Sequence, residues 1–184
     1  MDHVKVVIIG TNKIGKSCFG RRINSKLNDK FQIYKKTIVS EFNYKDIKVN
    51  NKQYRLEIWD LSGTDESLGE IESIFLKDSP PVILIFYDAM DKKSFEIAKR
   101  KYYSIKKENK IIFLVRSKYD LCVKDDNSEI IRDEEALEFV QDNNIHFAHI
   151  SSIENYETGI DDLLNKIMLE YIQLKLPKLN NSNK

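Results

Sequence analysis

A short glycine-containing segment, residues 10–17, constrains this chain more than any other feature. It reads Gly-Thr-Asn-Lys-Ile-Gly-Lys-Ser, which has the spacing G-x-x-x-x-G-K-S. An apolar run at 4–9 precedes it and predicts a buried strand, and the residues after it predict a helix over 15–26. In this setting the backbone N–H groups of the loop and the N-terminal end of the helix can surround phosphate groups. We expect Lys16 to reach the outer phosphates and the Ser17 hydroxyl to bind Mg²⁺, in a nucleoside triphosphatase or a nucleotide kinase.

Strands and helices alternate along the rest of the chain. Runs of apolar or alternating residues predict further strands at 39–49, 53–59, 82–87, 111–115 and 145–150. Helical spacing of apolar residues predicts helices at 94–107, 133–142 and 160–174. This order predicts an α/β fold with a mostly parallel sheet and helices on both faces. We expect one domain over residues 1–176, followed by a short disordered tail at 177–184.

Composition and charge exclude several classes of protein. Among the 184 residues, 30 Lys and Arg stand against 29 Asp and Glu, so the chain lacks the bulk positive charge typical of nucleic-acid-binding proteins. Its longest strongly apolar run, 82–87, is far too short to span a membrane. Cys18 and Cys122 are too few and too far apart for a disulfide framework, which favours a reducing, cytoplasmic location. Residues 180–184 contain no cysteine, so we expect no lipid anchor on this chain.

Three later segments carry a second set of candidate functional residues. Thr37 lies in a loop after the first predicted helix, and Trp59-Asp60-Leu61-Ser62-Gly63 follows an alternating strand. Ser117-Lys118-Tyr119-Asp120 ends a buried strand. In order and spacing these segments resemble the switch threonine, the W-D-x-x-G element and the guanine-reading N-K-x-D element of the Ras-like small GTPases. The resemblance covers nearly the whole chain and implies a three-layer domain with a six-stranded, mostly parallel sheet and about five helices.

The resemblance implies that the chain binds GTP and GDP together with Mg²⁺. Ser17, Thr37 and Asp60 would hold the metal ion, and the Gly63 N–H would contact the terminal phosphate. The residues expected to act in the catalytic step are Lys16, Thr37 and Thr64. The nucleotide contacts implied on the phosphate loop are those of Asn12, Lys13, Ile14, Gly15, Lys16, Ser17 and Cys18.

The same resemblance implies a guanine-binding end of the site. Asp120 would accept the two adjacent N–H donors of guanine, a pairing that adenine cannot make. The apolar stem of Lys118 would lie across the ring. The other residues expected near the base are Ser117, Ser151, Ser152 and Phe31. For Phe31, ordinary packing is an equal alternative.

The chain departs from the family pattern at positions that bear on hydrolysis. Thr64 stands where these GTPases usually carry the glutamine that orients the attacking water. Asn12 stands where many relatives carry a glycine beside the terminal phosphate, and Ser117 replaces the usual Asn or Thr of the base element. We therefore expect a GTPase with slow intrinsic hydrolysis. The alternative is a catalytically impaired GTPase that acts as a binding scaffold in one nucleotide state.

Two motifs indicate a branch of the family. Ile58-Trp59-Asp60-Leu61-x-Gly63 and Leu114-Val115-x-x-Lys118-Tyr119-Asp120-Leu121 resemble the fungal septum-promoting, mitotic-exit GTPases, which also have no lipid tail. This branch implies control of septation through recruitment of an effector kinase, with protein contacts at spindle poles. A Rab-like trafficking regulator is the next choice. A phosphate-loop nucleotide kinase is disfavoured, because the six arginines are dispersed rather than clustered in a lid.

The expected partners follow from the same family. We expect a monomer that binds guanine nucleotide and no nucleic acid. Effector, exchange and activating proteins would contact the regions 31–42 and 60–75. The charged stretch 99–110 is interpreted most simply as a solvated helix face.

Overall fold

In the part of the chain that the structure describes, six strands form a single sheet at the centre of the fold. The computed structural model describes residues 1–23, 37–66, 68–77, 80–105, 109–124, 133–152 and 159–176. The strands are β1 (Asp2–Ile9), β2 (Ser40–Val49), β3 (Lys52–Leu61), β4 (Val82–Asp88), β5 (Ile111–Ser117) and β6 (His146–His149). Their order across the sheet is β2-β3-β1-β4-β5-β6, and every neighbouring pair except β2–β3 is parallel.

The antiparallel pair β2–β3 is a hairpin, as the alternation of its residues predicts. Asn50 and Asn51 form the two-residue turn, with φ angles of 49° and 63°. These are the left-handed conformations that a tight, twisted hairpin needs and that asparagine tolerates. The hairpin places Asp60 near the carboxyl end of β3, beside the end of β1.

The carboxyl ends of the parallel strands meet at one edge of the sheet. β1 leads there into residues 10–17, and β3 leads into 62–64. Asp88 at the end of β4 lies opposite Ser117 at the end of β5. In open α/β sheets, ligands bind at this edge, where the connections of neighbouring strands leave toward opposite faces. The fold therefore brings the motif segments together although they are far apart in the chain.

Helices cover both faces of the sheet. Within the described ranges they are α1 (Lys16–Ile23), α2 (Glu70–Lys77), α3 (Lys92–Ser104), α4 (Tyr119–Lys124), α5 (Asp133–Asn143) and α6 (Ile160–Lys175). α1 and α6 pack on one face, where Phe19 and Leu163 join the buried strand residues. α2, α3 and α5 pack on the other, where Phe95 and Phe139 are buried. No helix in the part of the chain that the structure describes is both long and apolar enough to cross a membrane.

The predicted α/β fold with a six-stranded, mostly parallel sheet and about five helices is confirmed, and six helices occur in the described ranges. One interpretation needs correction. The stretch 99–110 is not simply a solvated face, since the side chain of Lys101 is 0% exposed. The expected tail at 177–184 lies outside the described residues.

Candidate nucleotide-binding site

The segment between β1 and α1 turns around the amine of Lys16. Gly10 and Gly15 have φ angles of 146° and 96°, which side chains rarely tolerate, and a Cβ atom at Gly10 would lie 2.7 Å from the carbonyl oxygen of Phe86. Lys16 is 6% exposed, and its Nζ donates hydrogen bonds to the carbonyl oxygens of Gly10 at 3.1 Å and Thr11 at 2.6 Å. The loop thus holds a buried cation at the N-terminal end of a helix, an arrangement suited to an anion.

The pKa of Lys16 is also consistent with a site that binds an anion. Burial lowers the pKa of Lys16 to about 8, and the carboxylate of Asp60 opposes this effect. The ammonium group has lost water without gaining a full counter-charge, so an anion in the loop would stabilise its protonated form. We therefore expect phosphate groups to bind most tightly while Lys16 is protonated.

Three oxygen-bearing side chains meet beside Lys16. Ser17 Oγ donates a hydrogen bond to Asp60 Oδ2 at 2.5 Å and lies 3.1 Å from Thr37 Oγ1. Asp60 is buried; burial raises the pKa of its carboxyl group, and the hydrogen bond from Ser17 opposes that rise. Its other oxygen, Oδ1, is buried without a hydrogen-bond partner among the described residues. Hydroxyl and carboxylate oxygens are ligands that Mg²⁺ prefers, so this donor set fits a magnesium ion.

The loop after β3 closes over the phosphate loop. Gly63 lies so near that a Cβ atom there would be 2.5 Å from the backbone nitrogen of Asn12. The Thr64 N–H donates to the carbonyl oxygen of Gly10 at 3.3 Å. The Thr64 hydroxyl accepts a hydrogen bond from the Glu66 N–H at 3.1 Å. One lone pair of this hydroxyl is therefore engaged within its own loop, at the position where a water-orienting glutamine is usual in the family.

A second polar cluster lies where β5 and β6 end. Asp120 is 3% exposed, and its Oδ1 accepts a hydrogen bond from Ser151 Oγ at 2.7 Å. Its Oδ2 is buried and has no hydrogen-bond partner in the described part of the chain. The Tyr119 N–H donates to the carbonyl oxygen of Ile150 at 3.1 Å and so ties this loop to the end of β6. Because an unpaired buried acceptor costs free energy, Asp120 is suited to receive N–H donors from a ligand.

Lys118 and Ser117 connect this cluster to the end of the neighbouring strand β4. Lys118 has a φ of 56°, and its Nζ lies 2.6 Å from Asp88 Oδ2. Ser117 Oγ donates to the carbonyl oxygen of Tyr87 at 2.9 Å, and its Cβ would lie 3.7 Å from a Cβ atom at Gly15. Sequence patterns do not single out Asp88. Its position directly after a buried strand is the signal that would have found it.

The remaining predicted residues lie around these clusters or outside the described ranges. Ile14, within the phosphate loop, is buried. Residues at the margin that are exposed or half-buried are Asn12, Lys13, Cys18 and Ser152. The side chain of Cys18 reaches solvent on α1. Phe31 lies outside the described residues, as do all positions from 24 to 36.

An aromatic surface adjoins the site on β2, β3 and α2. The ring of Trp59 lies between those of Phe42 and Phe75, with centroid separations of 4.9 Å and 5.2 Å. We call these three residues the aromatic row. Ile38 and Ile74 on adjoining elements are 85% and 59% exposed. Exposed apolar groups collected in one region mark interaction surfaces in soluble proteins.

Fold and site together place the chain among the phosphate-loop nucleotide-binding proteins, because the loop around Lys16 lies where β1 and β4 send their connections to opposite faces. The model of the Ras family matches residues 5–173, and the chain belongs to this family. The Ras family consists of switch proteins that bind and hydrolyse GTP. The chain is accordingly a Ras-like GTP-binding protein.

Curated relatives match the chain over most of its length. It is 28% identical to "Ras-related protein Rab-12" of Homo sapiens, across 94% of this chain and 72% of that protein. It is 27% identical to "Ras-related protein SEC4" of Saccharomyces cerevisiae, across 98% of this chain and 78% of that protein. It is 29% identical to "GTP-binding protein YPT1" of the same yeast, across 86% and 73%. These similarities support a Rab-like branch, and none of them supports the septation branch that the two motifs resemble.

Proposed function

We propose that the chain is a Mg²⁺-dependent guanine-nucleotide switch of Rab-like type. One observation carries the proposal: the buried carboxylate of Asp120, at the same sheet edge as Lys16, has an oxygen without a hydrogen-bond partner among the described residues. Its other oxygen accepts from Ser151 and keeps a second lone pair. Two acceptors side by side match the paired N–H donors of guanine. We assign Asp120, with Ser117, Lys118, Ser151 and Ser152 around it, to the base.

The phosphate end of the proposed site follows from the cluster at β1 and β3. Lys16 would bind the outer phosphates, and Ser17, Thr37 and Asp60 would hold Mg²⁺, which would neutralise phosphate charge when bound. The Gly63 N–H meets the terminal phosphate. GTP then keeps the segments of Thr37 and Gly63 against the phosphate loop, and GDP releases both.

The aromatic row supplies a surface on which partners can distinguish these states. Phe42 and Phe75 lie within the regions 31–42 and 60–75 proposed for effector, exchange and activating proteins, and Trp59 directly precedes the second region. Movement of either region would change the exposed apolar area around Trp59. Because the relatives include a Rab protein, we propose vesicle trafficking rather than septation as the regulated process.

The nucleotide that accompanies the purified protein tests this function. Protein purified in Mg²⁺ and then denatured should release GDP or GTP in near-equimolar amount, because tightly bound nucleotide stabilises the folded state and survives purification. Chromatography and mass spectrometry of the supernatant identify the base and count the phosphates. Release of an adenine nucleotide in that amount would contradict the assignment of Asp120.

Thr64→Gln should raise the rate of intrinsic GTP hydrolysis by at least about tenfold, because a longer amide side chain can orient the attacking water. In this chain the Thr64 hydroxyl accepts from the Glu66 N–H instead. Single-turnover hydrolysis of bound GTP measures the effect. An equal rate in both proteins would show that position 64 does not limit hydrolysis.

Thr64→Val is the matched control for that change. Valine keeps the shape of threonine and the methyl group that packs near Gly69, but it removes the hydroxyl. We expect its hydrolysis rate to stay within about twofold of the unchanged protein, since the threonine side chain is too short to orient the attacking water and its hydroxyl accepts a hydrogen bond from its own loop. A large loss would show that the Thr64 hydroxyl takes part in catalysis.

The hydrogen bond from the Glu66 N–H to the Thr64 hydroxyl also favours a second candidate function, a scaffold that stays in one nucleotide state. A scaffold would carry mainly one nucleotide after purification. Thr64→Gln would then leave hydrolysis negligible, because other parts of the catalytic geometry would also be missing. The released nucleotide and the response of Thr64→Gln together separate the two candidates.

A further inference from the structure

Lys101 of α3 and Glu72 of α2 form an ion pair in the interior of the protein. Their side chains are 0% and 1% exposed. Lys101 Nζ lies 2.9 Å and 2.7 Å from the two carboxylate oxygens of Glu72 and 2.9 Å from the carbonyl oxygen of Glu66. Each hydrogen of the ammonium group thus has an acceptor. We call the Lys101–Glu72 pair the latch.

The latch is connected to the phosphate loop through the loop after β3. Glu72 Oε2 also accepts a hydrogen bond from the backbone N–H of Gly69 at 2.9 Å. Gly69 in turn lies against Thr64, because a Cβ atom at Gly69 would be 2.8 Å from Thr64 Cγ2. The Thr64 N–H donates to the carbonyl oxygen of Gly10. A continuous series of contacts therefore runs from α3 to the residues around Lys16.

A second contact between α3 and the loop after β3 lies on the surface. Lys93 Nζ of α3 lies 2.7 Å from Asp65 Oδ2. Because Lys101 also donates to the carbonyl oxygen of Glu66, α3 holds the loop after β3 at two points.

We infer that Lys101 and Glu72 are positioning residues that hold the loop after β3 closed over the phosphate loop and thereby favour GTP over GDP. The inference rests on the proposed function, since it takes Gly63 to meet the terminal phosphate. In the closed arrangement Thr37 lies 3.1 Å from Ser17, and Gly63 lies against the phosphate loop. Both groups that would detect the terminal phosphate are therefore already in place.

The physical basis of this preference is the ordering of the loop before nucleotide binds. When the latch is absent, the loop populates other arrangements, and the apparent affinity of a ligand that needs the closed one falls with the closed fraction. GDP has no terminal phosphate and depends little on that fraction. Loss of the latch should therefore lower the affinity for the triphosphate more than the affinity for GDP. An ion pair with only a structural role would affect both nucleotides equally or neither.

The test replaces the latch with two apolar side chains of similar length, in the variant Lys101→Met/Glu72→Met. No unpaired charge is left in the interior, and buried ion pairs often tolerate replacement of this kind. We expect affinity for a non-hydrolysable GTP analogue to fall about tenfold while affinity for GDP stays within about twofold. Equilibrium competition against a fluorescent guanine nucleotide measures both. Unchanged affinity for the analogue, or an equal loss for GDP, would overturn the inference.

An exposed ion pair on the same helix gives the matched control. Lys99 Nζ lies 2.6 Å from Glu96 Oε1, and both side chains reach solvent. Lys99→Met/Glu96→Met removes the same two charges away from the loop after β3 and should leave the ratio of the two affinities unchanged. An equal shift in this control would mean that the charge of α3, rather than the latch, sets the ratio. Failure of the unchanged protein to bind either nucleotide would instead contradict the proposed function.

A second test uses the unchanged protein and therefore does not depend on whether a variant folds. If the latch favours GTP, then GTP must favour the closed latch by the same free energy. The Gly69 amide hydrogen, which is bonded to Glu72, should exchange with solvent more slowly in the GTP-analogue complex than in the GDP complex. Hydrogen exchange followed by mass spectrometry compares the two complexes, with α6 as the internal reference. Equal exchange at Gly69 would overturn the inference.

Discussion

Asp120→Asn should change the base preference of the protein from guanine toward xanthine. Asparagine offers an N–H donor where Asp120 has Oδ2, the oxygen that lacks a partner in the described part of the chain. Xanthine carries a carbonyl oxygen where guanine carries its amino group. Hydrogen bonds to a charged group contribute about 1.5–3 kcal/mol each, so the ratio of GDP to XDP affinities should shift by about 10³-fold. Equilibrium competition of the two diphosphates against a fluorescent nucleotide measures that ratio.

A second carboxylate at the same sheet edge supplies the control for this change. Asp88 ends the neighbouring strand and binds the Lys118 amine at 2.6 Å, so Asp88→Asn removes an equal charge close to the same loop. It should weaken GDP and XDP alike, because it alters the support of Lys118 rather than the acceptors that meet the base. An unchanged preference for guanine in Asp120→Asn, or an equal shift in Asp88→Asn, would contradict the assignment of Asp120.

Local features of the sequence are enough to predict the sheet and the edge where the motifs meet. An apolar run gives β1, alternation gives β2 and β3, and each motif follows its strand directly. The buried charges of Glu72 and Lys101 cannot be predicted from local features of this kind. Glu72 interrupts the apolar face of α2, and Lys101 lies in a stretch whose composition indicates a solvated surface. Each charge is tolerated in the interior only because it pairs with the other, which lies 29 positions away in the sequence. No local sequence pattern predicts that contact.

Within the site, the sequence predicts which residues are functional better than it predicts their hydrogen-bond partners. The absence of glutamine at Thr64 is plain in the sequence, but the bond from the Glu66 N–H to its hydroxyl depends on the path of the loop. The pairing of Asp88 with Lys118 likewise depends on the register of β4 and β5. Spacing identifies Asp120 as an acceptor. Only the fold shows that one of its oxygens is buried and unpaired within the described residues.

Lys16→Ala should reduce nucleotide affinity by about 10³-fold or more, since charge-assisted hydrogen bonds to phosphate are among the strongest in proteins. The alanine variant keeps the glycines of the loop and the start of α1 but loses the only buried cation described there. Lys13→Ala changes an exposed lysine of the same loop and should stay within about threefold of the unchanged protein. Titration of both variants with fluorescent GDP measures the difference. Tight binding by Lys16→Ala would contradict the phosphate-loop assignment.

The same variant isolates the pH dependence that the buried amine should give to binding. The pKa of Lys16 is lowered to about 8, so the amine of the empty site loses its proton as the pH rises through that value. Phosphate binding requires the protonated form, and affinity should therefore fall by about tenfold between pH 7 and pH 9 through this group alone. Titration of the guanine base affects the affinities of the unchanged protein and of Lys16→Ala equally. The ratio of the two affinities therefore reports the protonation of Lys16. A ratio that stays constant over this range would show that the protonated amine does not drive phosphate binding.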